Sequence, residues 1–181
     1  MKMNVPNALT ILRICLVPVF VLFMLTGIGG SYGDIIAGVI FIIASLTDTL
    51  DGHIARKYNQ ITVFGKFMDP LADKLLVCSA LICLVELERI PAWIVIIIIG
   101  RDFIISGFRL VAAEKGVVIA ANIWGKVKTA VQMFMVIFLV FHFGGVFEVI
   151  EQILIWAALL LTVISLVDYI WLNRSVLEEV H

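Results

Sequence analysis

The chain has 181 residues, of which 62% are hydrophobic and 15% charged, with a mean hydropathy of +1.14 and a formal net charge of −1. Soluble domains of this size carry about a quarter charged residues, so there is too little polar surface here to cover a water-soluble globule, and the bilayer must be the solvent. The charge balance gives no argument for nucleic acid, and no nucleic-acid partner is expected.

The N-terminal stretch MKMNVPNALTILRICLVPVF sets a basic residue before an apolar run, as a signal peptide does, but Arg13 interrupts the run and no convincing small-x-small cleavage site follows. It is expected to remain as a first helix. Crossing the hydrocarbon core takes about 20 residues at ~1.5 Å each. Six segments approach that length: Leu9–Thr26, Asp34–Asp51, Pro70–Glu86, Pro91–Ala113, Trp124–Phe143 and Val149–Leu172. GIGGSYG ends the first, ELERIP the third and FGG the fifth. Trp93, Trp124 and Trp171 fall near predicted ends, where indoles favour the headgroup layer. The expected fold is an all-α integral membrane protein, a single domain of six transmembrane helices over residues 1–181. Cys15, Cys78 and Cys83 lie in apolar runs without metal or redox spacing and read as packing residues.

Orientation follows from the cations. With the N-terminus in the cytoplasm the outer loops are 27–33, 87–90 and 144–148, and of the thirteen Lys and Arg residues only Arg89 falls in them. Lys2, Arg56, Lys57, Lys66, Lys115, Lys126, Lys128 and Arg174 fall on the opposite side. Both termini are therefore expected in the cytoplasm. Asp34, Glu86, Glu88, Glu148 and Glu151 sit at predicted outer boundaries and read as solvated ends.

The segment DTLDGHIARKYNQITVFGKFMDPLADK, residues 48–74, is expected at the cytoplasmic face between the second and third spans. Asp48 and Asp51 are three residues apart, Asp69 and Asp73 four apart, and each spacing puts two carboxylates on one helix face. Helices joined by a short loop can point the two pairs at one another. Four anions at a low-dielectric interface repel unless a cation neutralises them. Oxygen donors with no competing His or Cys set suit Mg²⁺ or Mn²⁺. Gly52 lets another group approach the backbone, and the planar fork of Arg56 suits a phosphate. Together these features describe a site for a diphosphate. The plainer alternative is that the aspartates cap helices or pair with Arg56, Lys66 and Lys74, and that Gly52 and Gly65 end and resume helices.

Asp48-x-x-Asp51-Gly52-x-x-Ala55-Arg56, then eight residues, then Gly65-x-x-x-Asp69-x-x-x-Asp73, resembles the signature of the CDP-alcohol phosphotransferase family at every fixed position. NVPNALTILRICLVPVF near the start, and GRDFIISGFRLVAAEKGVVIAANIWGKVKT at residues 100–129, are similar to blocks of the bacterial members that make phosphatidylglycerophosphate. Only Asp102 stands out, where glutamate would be expected, and its charge is kept. The resemblance implies that Asp48, Asp51, Asp69 and Asp73 hold two divalent metals, Mg²⁺ or Mn²⁺, against the nucleotide diphosphate, with Asp73 as general base. It implies that Asp48, Gly52, Ala55, Arg56, Gly65 and Asp69 bind the CDP part. It further implies a homodimer in the cell membrane, among membrane lipids, with its cavity open to the cytoplasm. The expected reaction joins CDP-diacylglycerol and sn-glycerol 3-phosphate and releases CMP.

The acceptor's own phosphate calls for cations apart from the aspartates, and the candidates are Arg101, Arg109, Lys126 and Lys128. Arg101 lies about 10 residues into its span, or ~15 Å, where an arginine is costly unless it is paired or in a wet cavity. Pairing with Asp102 or Asp168 is the structural alternative. Lys126 and Lys128 could equally be ordinary positive-inside residues. Asn4, Asn7, Thr10 and Arg13 could touch the nucleotide lipid or cap the first helix. Within the same chemistry the acceptor could be serine, inositol phosphate or phosphatidylglycerol. A rival of another class is a divalent-metal transporter, but that would place its acids at the midplane, commonly on broken helices.

Overall fold

The computed structural model describes residues 5–57, 63–114, 119 and 122–174; the side chains of 5, 6, 48–57, 63, 64, 66 and 67 fall outside the described residues. Among the described residues the secondary structure is helical: α1 (Val5–Leu25), α2 (Gly33–Lys57), α3 (Val63–Glu86), α4 (Ala92–Glu114), α5 (Ile123–Phe141) and α6 (Val146–Leu172), with a 3-10 turn at Gly30–Tyr32. Each apolar segment read from the sequence falls on one of these helices to within two residues at its ends. Among the described residues four stretches are long and apolar enough to cross a membrane, in α1, across Gly30–Thr47, in α5 and in α6. In α3 and α4 charges interrupt the apolar run: Asp69, Asp73 and Lys74 in the one, Arg101, Asp102 and Arg109 in the other.

The sharpest departures from expectation are at the ends of α2 and α3. α2 continues past Asp51 to Lys57, and α3 begins at Val63, two turns before Pro70. Hydropathy marks where lipid ends, whereas a helix stops only when its backbone is broken. Pro70 lies inside α3 rather than at its start. Both aspartate pairs therefore sit within helices, so the three- and four-residue spacings do define shared faces.

The chain forms two compact units, Met1–Arg89 with Val136–His142, and Ile90–Met135 with Phe143–His181. In the first, α1 packs against both α2 and α3. Phe20 and Phe41 meet with ring centroids 5.9 Å apart, and Ala37, Ala44, Leu76 and Ala80 are buried in the same unit. Gly38 lies under the ring of Phe141; a Cβ there would stand 2.6 Å from it, so a small residue is what permits the approach.

Arg89 is the exception to the cation asymmetry, and its surroundings account for it. Its Nη2 donates to Asp34 Oδ2 at 2.6 Å, and its Nη1 donates to the carbonyls of Leu139 and Val140, each at 3.0 Å. Those carbonyls belong to the last turn of α5, where no intrahelical donor remains and the helix dipole is negative. Asp34 is accordingly a half-buried ion-pair partner, not a solvated end.

In the second unit α4 packs on α6, and Trp93 and Trp156 meet with ring centroids 6.2 Å apart. Glu151 corrects another expectation. It is only 5% exposed, because it opens the inward stripe of α6 that continues through Ile155, Ala158, Thr162, Ser165 and Tyr169. Trp93, Trp124 and Trp171 stand near helix ends and are exposed. Outward faces carry large apolar side chains such as Leu46, Ile82, Leu110 and Val167, surface that lipid solvates and water would not.

Candidate active site

α3 presents Asp69 and Asp73 one turn apart, both half-buried. Their spacing brings the two Cβ atoms to within about 5–6 Å. Oδ1 of Asp69 accepts a hydrogen bond of 2.5 Å from Oγ1 of Thr10 on α1. Thr10 is fully buried, as is Arg13, and Asn7 nearly so. These three lie at three-residue steps within α1, and Thr10 and Arg13 are beyond its first turn, so neither caps the helix. Arg13 Nε donates to the carbonyl of Ala44 at 3.2 Å, and Thr47 Oγ1 donates to the same oxygen at 2.6 Å. Ala44 is one turn before Asp48 on α2. Asn4 lies outside the described residues.

Asp48, Asp51, Gly52, Ala55 and Arg56 all lie on the final turns of α2, with side chains outside the described residues. Gly65 is buried in the first turn of α3. Among the described residues no three His, Cys, Asp or Glu side chains gather into a metal site, so the α3 pair needs further ligands to complete one. The donors that are present fit a hard cation. They are carboxylate oxygens on one helix face, and Asp69 is held by a hydroxyl bonded at Oδ1 that leaves Oδ2 for another partner.

The cations expected to meet the acceptor phosphate are in the second unit, and two of them share a partner. Arg101 Nη1 donates to Asp102 Oδ1 at 3.1 Å, and Lys128 Nζ donates to the same oxygen at 2.6 Å. Arg101 Nε donates to Ser165 Oγ at 3.0 Å, while that hydroxyl gives its own proton to the carbonyl of Thr162. Two buried cations thus meet on one carboxylate oxygen. Of the two pairings foreseen for Arg101, the one with Asp102 forms. Asp168 instead accepts from Asn122 Nδ2, and Asn122 Oδ1 in turn accepts the N–H of Gly125, capping the start of α5. Arg109 and Lys126 are exposed, with the Arg109 guanidinium 5.9 Å from the centroid of the Tyr169 ring.

Ser165, Asn122 and Gly125 are not among the candidates the sequence marks, and Thr10 is marked there only as a contact for the nucleotide lipid or a cap of α1. Gly125 had a readable signal, as a glycine within the NIWGKVK block that bears both lysines. A Cβ there would lie 3.1 Å from Arg101 Nη2 and 2.9 Å from Asn122 Oδ1, so the guanidinium can lie close only to a residue without one. For Ser165 nothing local marks a partner 64 positions away.

A profile of the CDP-alcohol phosphatidyltransferase domain matches residues 3–164. The chain belongs to the CDP-alcohol phosphatidyltransferase family. It is 43% identical to a CDP-diacylglycerol–glycerol-3-phosphate 3-phosphatidyltransferase of Bacillus subtilis (strain 168), over 97% of each chain. It is 41% identical to the protein of that description from Haemophilus influenzae, over 99% of this chain and 98% of the relative. A probable phosphatidylglycerophosphate synthase of Mycobacterium tuberculosis is 42% identical over 92% of this chain and 80% of its own length. The match to these CDP-alcohol phosphatidyltransferases thus takes in both the aspartate-bearing helices and the basic cluster.

Proposed function

We propose that this protein transfers the phosphatidyl group of CDP-diacylglycerol to sn-glycerol 3-phosphate, forming phosphatidylglycerophosphate and CMP. The observation that carries this reading is the near end-to-end similarity to relatives described by that reaction. The whole chain acts as one six-span domain in the cell membrane, with the aspartates facing the cytoplasm. There a lipid donor and a water-soluble anionic acceptor can meet. The working form is a homodimer.

Asp48, Asp51, Asp69 and Asp73 would hold Mg²⁺ or Mn²⁺, two per site. When bound, such ions would neutralise diphosphate charge and supply Lewis-acid stabilisation of the leaving CMP. Asp48, Gly52, Ala55, Arg56, Gly65 and Asp69 hold the CDP part, with the Arg56 guanidinium on a phosphate. Asp73 takes the proton from the acceptor hydroxyl. The freed oxygen bonds to the phosphorus next to the diacylglycerol oxygen, the bond from that phosphorus to the bridging oxygen of the diphosphate breaks, and CMP leaves. Arg109 and Lys126, both exposed, meet the acceptor's phosphate. Arg101 and Lys128, which share Asp102, add positive charge for the same phosphate.

The test is CMP release by purified protein with CDP-diacylglycerol and glycerol 3-phosphate, with and without Mg²⁺ or Mn²⁺. Serine, inositol phosphate and phosphatidylglycerol are offered in parallel as acceptors. Metal-dependent release with glycerol 3-phosphate is the expected result. Turnover on serine with none on glycerol 3-phosphate would end the proposed acceptor.

A further inference from the structure

We infer that Thr10 is a positioning residue for Asp69, and that α1 is the brace setting the two aspartate-bearing helices in register; this rests on the reading of Asp69 as a cation ligand. Thr10 belongs to neither the aspartate signature nor the helices that carry it. Its hydroxyl nonetheless donates to Asp69 Oδ1 across 59 positions of sequence. Other threonines in this chain show a commoner arrangement. Thr26, Thr47, Thr129 and Thr162 each donate to a carbonyl three or four residues back in the chain. Thr10 reaches a carboxylate on another helix from a position with no exposed surface.

The consequence for Asp69 is geometric. A carboxylate hydrogen-bonded at one oxygen loses rotamer freedom and presents the other oxygen in a fixed direction, the usual role of a partner behind a metal ligand. Three residues further along the same face, Arg13 holds the carbonyl of Ala44, one turn before Asp48. α1 thus fastens α3 at Asp69 and α2 just ahead of Asp48, and α1 packs on both helices. A shift of α1 would move one carboxylate pair relative to the other.

The experiment measures Mn²⁺ binding by electron paramagnetic resonance on the full-length protein in detergent, without substrate, beside the Mn²⁺ dependence of CMP release. Thr10→Val keeps the shape and removes the hydroxyl, and its Mn²⁺ Kd is expected to rise about 10–100-fold. Half-saturating Mn²⁺ in the assay should rise by a similar factor, with kcat recovering as Mn²⁺ is raised. Thr10→Ser should restore both. In an Asp69→Asn background Thr10→Val should add nothing. Gel filtration and helical circular dichroism check folding, and Thr10→Ala and Thr10→Cys serve if the valine variant misfolds. Wild-type Mn²⁺ affinity in Thr10→Val overturns the inference while leaving the proposed reaction standing. So does a serine variant as weak as the valine one, which would reduce Thr10 to packing. A wild-type protein that releases CMP but binds no Mn²⁺ removes the reading of Asp69 as a ligand, and the inference with it.

Discussion

The α1–α3 unit and the α4–α6 unit both bring charge among apolar helices, but they accommodate it differently. In the second unit, Arg101 and Lys128 are buried and meet on one carboxylate, with Ser165 completing the guanidinium's contacts. In the first unit Asp69 and Asp73 stay half-exposed on one face of α3. The bond described for Asp69 comes from a neutral hydroxyl, which orients the carboxylate without cancelling its charge. The one arrangement ties two buried cations to a shared carboxylate, and the other sets two carboxylates at a partly solvated helix face.

If this contrast is right, variants in the two units should fail in different ways. The largest effect belongs to Asp73→Asn: CMP release should fall about 10²–10⁴-fold, the usual contribution of a general base, while CDP-diacylglycerol is still bound in equilibrium dialysis. Full turnover in that variant would remove Asp73 from the chemistry. Asp102→Ala should act on stability first. It removes the carboxylate that Lys128, 1% exposed, shares with buried Arg101. Removing one partner of a buried ionic group costs about 3–5 kcal/mol, read as a lowered unfolding midpoint in detergent. An unchanged midpoint would show that the basic cluster is as open as the acidic one. The smallest change is expected from Arg109→Ala at the exposed edge. The KM for glycerol 3-phosphate should rise about 10-fold, the loss of one charged hydrogen bond, with the KM for CDP-diacylglycerol unmoved.

Much of this was legible in the sequence, and the parts that were not share a cause. Apolar runs located the six helices, and the aspartate spacings stood out because they are local. The extensions of α2 to Lys57 and of α3 back to Val63 escaped notice, because hydropathy reports the solvent around a helix and not the helix itself. Glu151 looked like a solvated end because an acid near a loop ordinarily is one; its burial comes from facing inward with Ile155 and Ala158. The pairing of Thr10 with Asp69 joins α1 to α3 and leaves no periodic trace. Long-range hydrogen bonds carry the same information as motifs, but only folding makes them visible.

Arg89 bears on how the protein is assembled. In the proposed topology it must be carried across the bilayer with the turn that joins α3 to α4. Asp34 precedes it in the chain and can receive it at once, whereas the carbonyls of Leu139 and Val140 are synthesised some fifty residues later. Until α5 is threaded, two of the three bonds to that guanidinium have no acceptor. In that topology the arginine would act as a late latch, closing this end of the first unit only once α4 and α5 have been inserted.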